Sequence, residues 1–136
     1  DMTLTLERHV RDRLMLRSLS AFSKGNFYFR RVLLVQESSG RPVAMGAIRI
    51  RLDAFSQRLR TKILAGRVPL GRILREGRFA YTNKVSAFLA VTPTSEIMGI
   101  FWMREPRVLY GRRNEMFRND VKIADIVEVL PPATSS

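Results

Sequence analysis

Residues 27–51, FYFRRVLLVQESSGRPVAMGAIRIR, decide the fold. The run 27–36 is dense in aromatic and branched side chains, the composition of a strand. Glu37-Ser38-Ser39-Gly40 is turn chemistry, and 42–51 returns as a second run of strand type. Two such runs joined by a short turn form a hairpin, and a hairpin commits the chain to antiparallel pairing.

Working outward, 13–23 alternates well enough for a strand leading into a turn at Lys24-Gly25-Asn26, and 3–13 reads as a short helix. Downstream, Leu52, Phe55, Leu59 and Ile63 recur at helical spacing, which predicts a helix over 53–65, with Asp53 capping its start and Gly66 ending it. Pro69-Leu70-Gly71 precedes a short helical turn through Leu74. Strands are expected at 84–91 and 97–103, around a turn at Thr92-Pro93-Thr94-Ser95. A closing hairpin is expected from 107–118 and 121–130, turning at Asn119-Asp120 and stopped by Pro131-Pro132; the tail 133–136 reads as frayed. Strands outnumber helices and follow one another by hairpins. The expectation is an α+β fold, a single antiparallel β-sheet with helices or flaps packed over it, in one domain spanning 1–136.

Composition narrows the chemistry. Hydrophobic residues make up 46% of the 136 and are spread along the chain, as in a globular domain. No apolar run has the length of a bilayer span, and no signal peptide is visible; a cytoplasmic protein with no membrane partner is expected. Cysteine is absent, which removes disulfides, thiol nucleophiles and zinc–thiolate sites. The single histidine, His9, cannot build a multi-histidine metal centre and reads as a surface residue in a charged run. No phosphate-binding glycine loop occurs. No cofactor and no metal are therefore expected. The net charge of +12 suits an anionic ligand, while the scattered basic residues carry no nucleic-acid motif, so nucleic acid is not indicated as a partner.

Four segments in order carry a resemblance: Asp1-Met2-Thr3; FYFRRVLLV followed by a turn and Gly40-Arg41-Pro42; Pro69-Leu70-Gly71-Arg72 after a helix; and LYGRR at 109–113 followed by EVLPPA at 128–133. Together they resemble bacterial chorismate lyase, which converts chorismate into 4-hydroxybenzoate and pyruvate. The resemblance covers nearly the whole chain and is poorest over 80–106. It implies an antiparallel sheet with helical flaps over a closed, cofactor-free site. It implies that the ligand is held by Arg30 and Glu128, the two candidate catalytic residues, with Met2 and Leu70 also contacting it. A second arginine of the family aligns with Ala47, and Arg49, two positions on, is the candidate replacement; Arg112 and Arg113 are alternatives. The stretch from Met2 to Arg30 is shorter than in the family, and the family's first helix has no counterpart.

The residue chemistry agrees with this. A guanidinium pairs with a carboxylate through two parallel hydrogen bonds. Arg30 and Glu128 each sit among apolar same-face neighbours, where a charge demands a partner. Arg31 also lies between apolar neighbours, and alternation alone does not choose between the two arginines. The leading expectation is a chorismate pyruvate-lyase or close relative acting on a small organic acid. The alternatives are a repurposed enzyme acting on another carboxylate or a polyketide-like substrate, and a non-catalytic sensor of a small acid. No helix-turn-helix is evident. The substrate and oligomeric state are left open.

Overall fold

A computed structural model describes residues 13–132. Six strands form one sheet in the order β1-β2-β3-β6-β5-β4, every neighbouring pair antiparallel. They are β1 (Leu14–Lys24), β2 (Phe27–Gln36), β3 (Pro42–Arg51), β4 (Thr82–Val91), β5 (Leu109–Arg118) and β6 (Val121–Val129). Three short helices complete the fold: α1 (Gln57–Ala65), α2 (Leu70–Glu76) and α3 (Ser95–Ile100). This is the expected α+β architecture, and the 121–130 segment does pair with 107–118, through β6 and β5. The proposed helix at 3–13, Met2, His9 and the tail 133–136 lie outside the described residues, apart from Arg13.

Helices α1 and α2 cover one face of the sheet. Leu59 and Ile63, one turn apart on α1, and Ile73 and Leu74 on α2 are buried against Tyr28, Ile50, Met116 and Ala124 from the strands. The start of α1 corrects the expectation. Its cap is Ser56, whose hydroxyl accepts from the Leu59 amide at 3.3 Å. Asp53 instead lies in a single 3-10 turn, Leu52–Ala54, and pairs with Arg51 at 2.8 Å. Gly66 ends the helix as expected, in the left-handed region at φ 68° that glycine occupies without strain.

The second correction is larger. The segment expected as a strand at 97–103 is α3 and its cap. The Thr94 side chain accepts from the Ile97 amide at 3.2 Å, which starts a helix where the sequence suggested only a turn. Helix α3 packs on the opposite face, near one end of the sheet. There Ile97 and Phe101 close over Leu109, Val129 and Met45.

Candidate functional site

Strand register sorts the candidate residues by face. Arg30 is paired with Ile48, Ile48 with Ile126, and Ile126 with Asn114, forming one row across four strands. The adjacent row runs Val32, Gly46, Glu128 and Arg112. Because side chains alternate along each strand, both rows face α1 and α2. The 69–71 segment, Pro-Leu-Gly, lies over them. Leu16, Val32, Leu34, Gly46, Ile48, Leu70, Ile126 and Glu128 are among the residues that line a cavity of about 60 Å³ between this segment and the sheet. Leu70 and Glu128 are thus brought to one cavity, and Arg30 lies in the next row, flanked on its own strand by Tyr28 and Val32.

Arg30 is 2% exposed. Its Nη1 donates to the carbonyl of Ile63 near the end of α1, at 3.3 Å. Its Nε and Nη2 have no hydrogen-bond partner among the described residues. These two nitrogens share one edge of the guanidinium, the edge that meets a carboxylate with two parallel bonds. The anchor at Ile63 fixes the plane of the group. Burial lowers the Arg30 pKa, and the nearby Tyr28 hydroxyl opposes that shift.

Glu128 is held differently. Burial raises its pKa, while the charge and hydrogen bond of Arg112 pull it back down without cancelling the rise. The Arg112 Nε to Glu128 Oε2 distance is 3.5 Å, a long contact. Arg112 thereby joins the candidate site. Asn114, 5% exposed on the same strand, and Gly46 were not anticipated. For Asn114 the signal was available: it lies two residues beyond Arg112 and so shares its face. A Cβ at Gly46 would make only ordinary contacts, 3.5 Å from Val32 and 3.7 Å from the Val127 carbonyl. What the glycine leaves is open space between Val32 and Glu128.

Arg49 is not part of this cluster. Its register partners are Phe29 and Asp125, on the opposite face of the sheet. There its guanidinium pairs with Asp125, which also accepts from Arg113 at 3.0 Å and Lys122 at 3.3 Å. Burial alone would raise the Asp125 pKa, but hydrogen bonds from Arg49, Arg113 and Lys122 outweigh it and hold the carboxyl below its ordinary range. Ala47 and Arg31 lie on this face too, Arg31 pairing with Glu96 at 3.1 Å. Phe22, Phe29, Arg31, Ala47, Arg49 and Asp125 are among the residues that line a cavity of about 340 Å³, which Arg30 also borders although its guanidinium donates to Ile63 on the α1 side. The arginine expected to compensate for Ala47 therefore cannot reach a ligand held by Arg30 without crossing the sheet.

Among the described residues no helix is long and apolar enough to cross a membrane. No family model matches the sequence, and no curated protein is similar to it. Solved structures are similar. One is a domain from Bordetella bronchiseptica described as the ligand-binding domain of a GntR-family transcriptional regulator; it is 16% identical, with a TM-score of 0.61 over 90% of this chain and 92% of that one. A GntR-family transcriptional regulator from Enterococcus faecalis gives 11% and 0.59 over 89% and 96%. PhnF from Mycobacterium smegmatis gives 11% and 0.62, the match covering 97% of this chain but 64% of that one. At such identities the likeness establishes the fold: a single-sheet α+β fold of the chorismate lyase type, shared with ligand-binding domains of regulators.

Proposed function

We propose that this chain is a small-acid-binding sensor domain, with Arg30 as the residue that grips the ligand's carboxylate. The observation that carries the reading is the buried Arg30 edge, two donors withdrawn from water with no acceptor among the described residues. Such groups are costly unless something satisfies them, and a carboxylate matches the geometry. Glu128, leaning toward the protonated form, supplies an acceptor or a donor for a hydroxyl at the ligand's other end. The cavity is far smaller than the roughly 300 Å³ at which ligand pockets begin. A ligand therefore enters by displacing the 66–71 connection, and Leu70 packs over it on return. That coupling of occupancy to segment position is what a sensor requires. The fold neighbours support a sensor in preference to an enzyme.

Calorimetry with 4-hydroxybenzoate tests this. The parent should bind, and Arg30→Gln should lose on the order of 2–4 kcal/mol of affinity. Equal affinities would remove Arg30 from the site. One observation favours the lyase reading beside it: a half-buried carboxyl, Glu128, on the same sheet face as the arginine, as the lyase resemblance implies; burial pushes its pKa up. Pyruvate release from chorismate, retained with a chelator present and lost in Glu128→Gln, would establish that reading. A parent that binds 4-hydroxybenzoate and releases no pyruvate is a sensor.

A further inference from the structure

At the end of the sheet where β3 begins and β6 stops, a groove of about 340 Å³ opens between residues 101–107 and Pro131-Pro132. It shares no lining residue with the cavity beside Glu128. Its apolar part is Pro42, Phe101, Met103 and the two prolines; its rim carries Arg41, Arg104, Arg107 and one acid, Glu105. Among the described residues the guanidinium groups of the three arginines make no ion pair or hydrogen bond, Arg41 donating only through its amide to the Ser39 hydroxyl at 3.1 Å. Trp102, the only tryptophan of the chain, also lines the groove and is 61% exposed.

The backbone at Trp102 makes its presence there notable. Trp102 follows the last residue of the α3 cap, at φ 57°. Its amide donates to the Gly99 carbonyl at 3.3 Å, and the Met103 amide donates to Met98 at 2.8 Å. This is the closing motif in which glycine normally occupies the left-handed position. A bulky aromatic residue there is strained and mostly in water, so neither local backbone preference nor core packing accounts for it.

We infer that this groove is a second binding site, for a small planar anion: an aromatic ring bearing carboxylate or phosphate groups. The indole offers a face for stacking, the arginine rim offers charge-assisted donors, and the volume lies in the range of small-molecule pockets. The excess of three cations over one acid selects an anion over a neutral ring.

The test uses the Trp102 indole N–H, which gives a single isolated peak in a ¹⁵N-correlation spectrum. The probe is terephthalate, a benzene ring with two carboxylates; succinate supplies the charge without the ring. Terephthalate should shift the Trp102 peak saturably in the millimolar range, more tightly than succinate. The Arg104→Gln/Arg107→Gln double variant should weaken that binding by at least about tenfold. Arg30→Gln should leave it unchanged, which separates this site from the one under α1. No saturable shift, equal response to succinate, or full retention in the double variant would overturn the proposal.

Discussion

At the scale of single residues, Arg30 and Glu128 are opposite solutions to burial. Burial lowers the Arg30 pKa and leaves one edge of its guanidinium without a partner among the described residues, whereas burial raises the Glu128 pKa. Removing the Arg30 charge should therefore help the empty protein while abolishing recognition. In Arg30→Met the Ile63 carbonyl keeps its bond from the Gly66 amide at 3.2 Å, so little is orphaned. Urea unfolding of the unliganded variant should show a gain of about 1 kcal/mol or more, alongside lost 4-hydroxybenzoate binding. For Glu128 the sign follows from its raised pKa. The folded state holds a proton that the unfolded chain has already released, so stability falls as pH rises through the ordinary carboxylate range toward the raised value. Glu128→Gln should remove that part of the decline. The variant's advantage over the parent in urea unfolding should grow from acidic to neutral pH; a constant difference would place the carboxyl in water. Which arginine faced inward was not legible in the sequence, since Arg30 and Arg31 have equally apolar neighbours. The strand register and the cover of α1 decide it, and both are tertiary facts. Alternation along β3 puts Ala47 and Arg49 on one face, but does not show that Arg30 is on the other.

At the scale of elements, the hairpins were readable because turn residues and branched runs agree at every boundary of β2 and β3. The 97–103 segment failed for a specific reason. IMGIFWM has no polar spacing to reveal a helix, and its stop carries tryptophan where glycine would have announced a helix end. Replacing it checks that account: Trp102→Gly should relieve the left-handed strain and stabilise the protein by up to about 1 kcal/mol, while abolishing stacking in the groove. Gly111, inside the LYGRR segment of the lyase resemblance, has the reverse character. A Cβ there would overlap the Glu128 carbonyl oxygen and come within 3.1 Å of the Val129 Cα. The glycine lets β5 lie against β6 at the residue that carries the candidate carboxyl. Gly111→Ala should cost about 2–4 kcal/mol in thermal or urea unfolding. A neutral result would mean that the two strands can part without loss.

At the scale of the whole molecule, cover is uneven. Helices α1 and α2 lie over the middle of the sheet, while the edge strands keep large apolar side chains in water, Phe22 on β1 at 61% and Phe88 on β4 at 85% exposure. The central rows, where Arg30 and Glu128 sit, are covered by the 69–71 segment, which on the proposed sensor reading moves to admit a ligand. On that reading, ligand binding should stabilise the folded protein. Binding to the folded state alone adds about 2.7 kcal/mol at a ligand concentration one hundred times its Kd. For a chain of this length that corresponds to a rise in Tm of roughly 10 °C. With a net charge of +12, added salt should also raise Tm by screening self-repulsion, but uniformly in parent and variants. The two effects separate cleanly in a melting experiment with 4-hydroxybenzoate. The parent should show the ligand-dependent rise at both low and moderate salt, because a buried pair is little screened. Arg30→Met should show the salt effect and no ligand effect. A rise that survives in Arg30→Met would move the ligand elsewhere, and the cavity lined by Phe22, Phe29 and Arg31 on the opposite face would then be the next place to look.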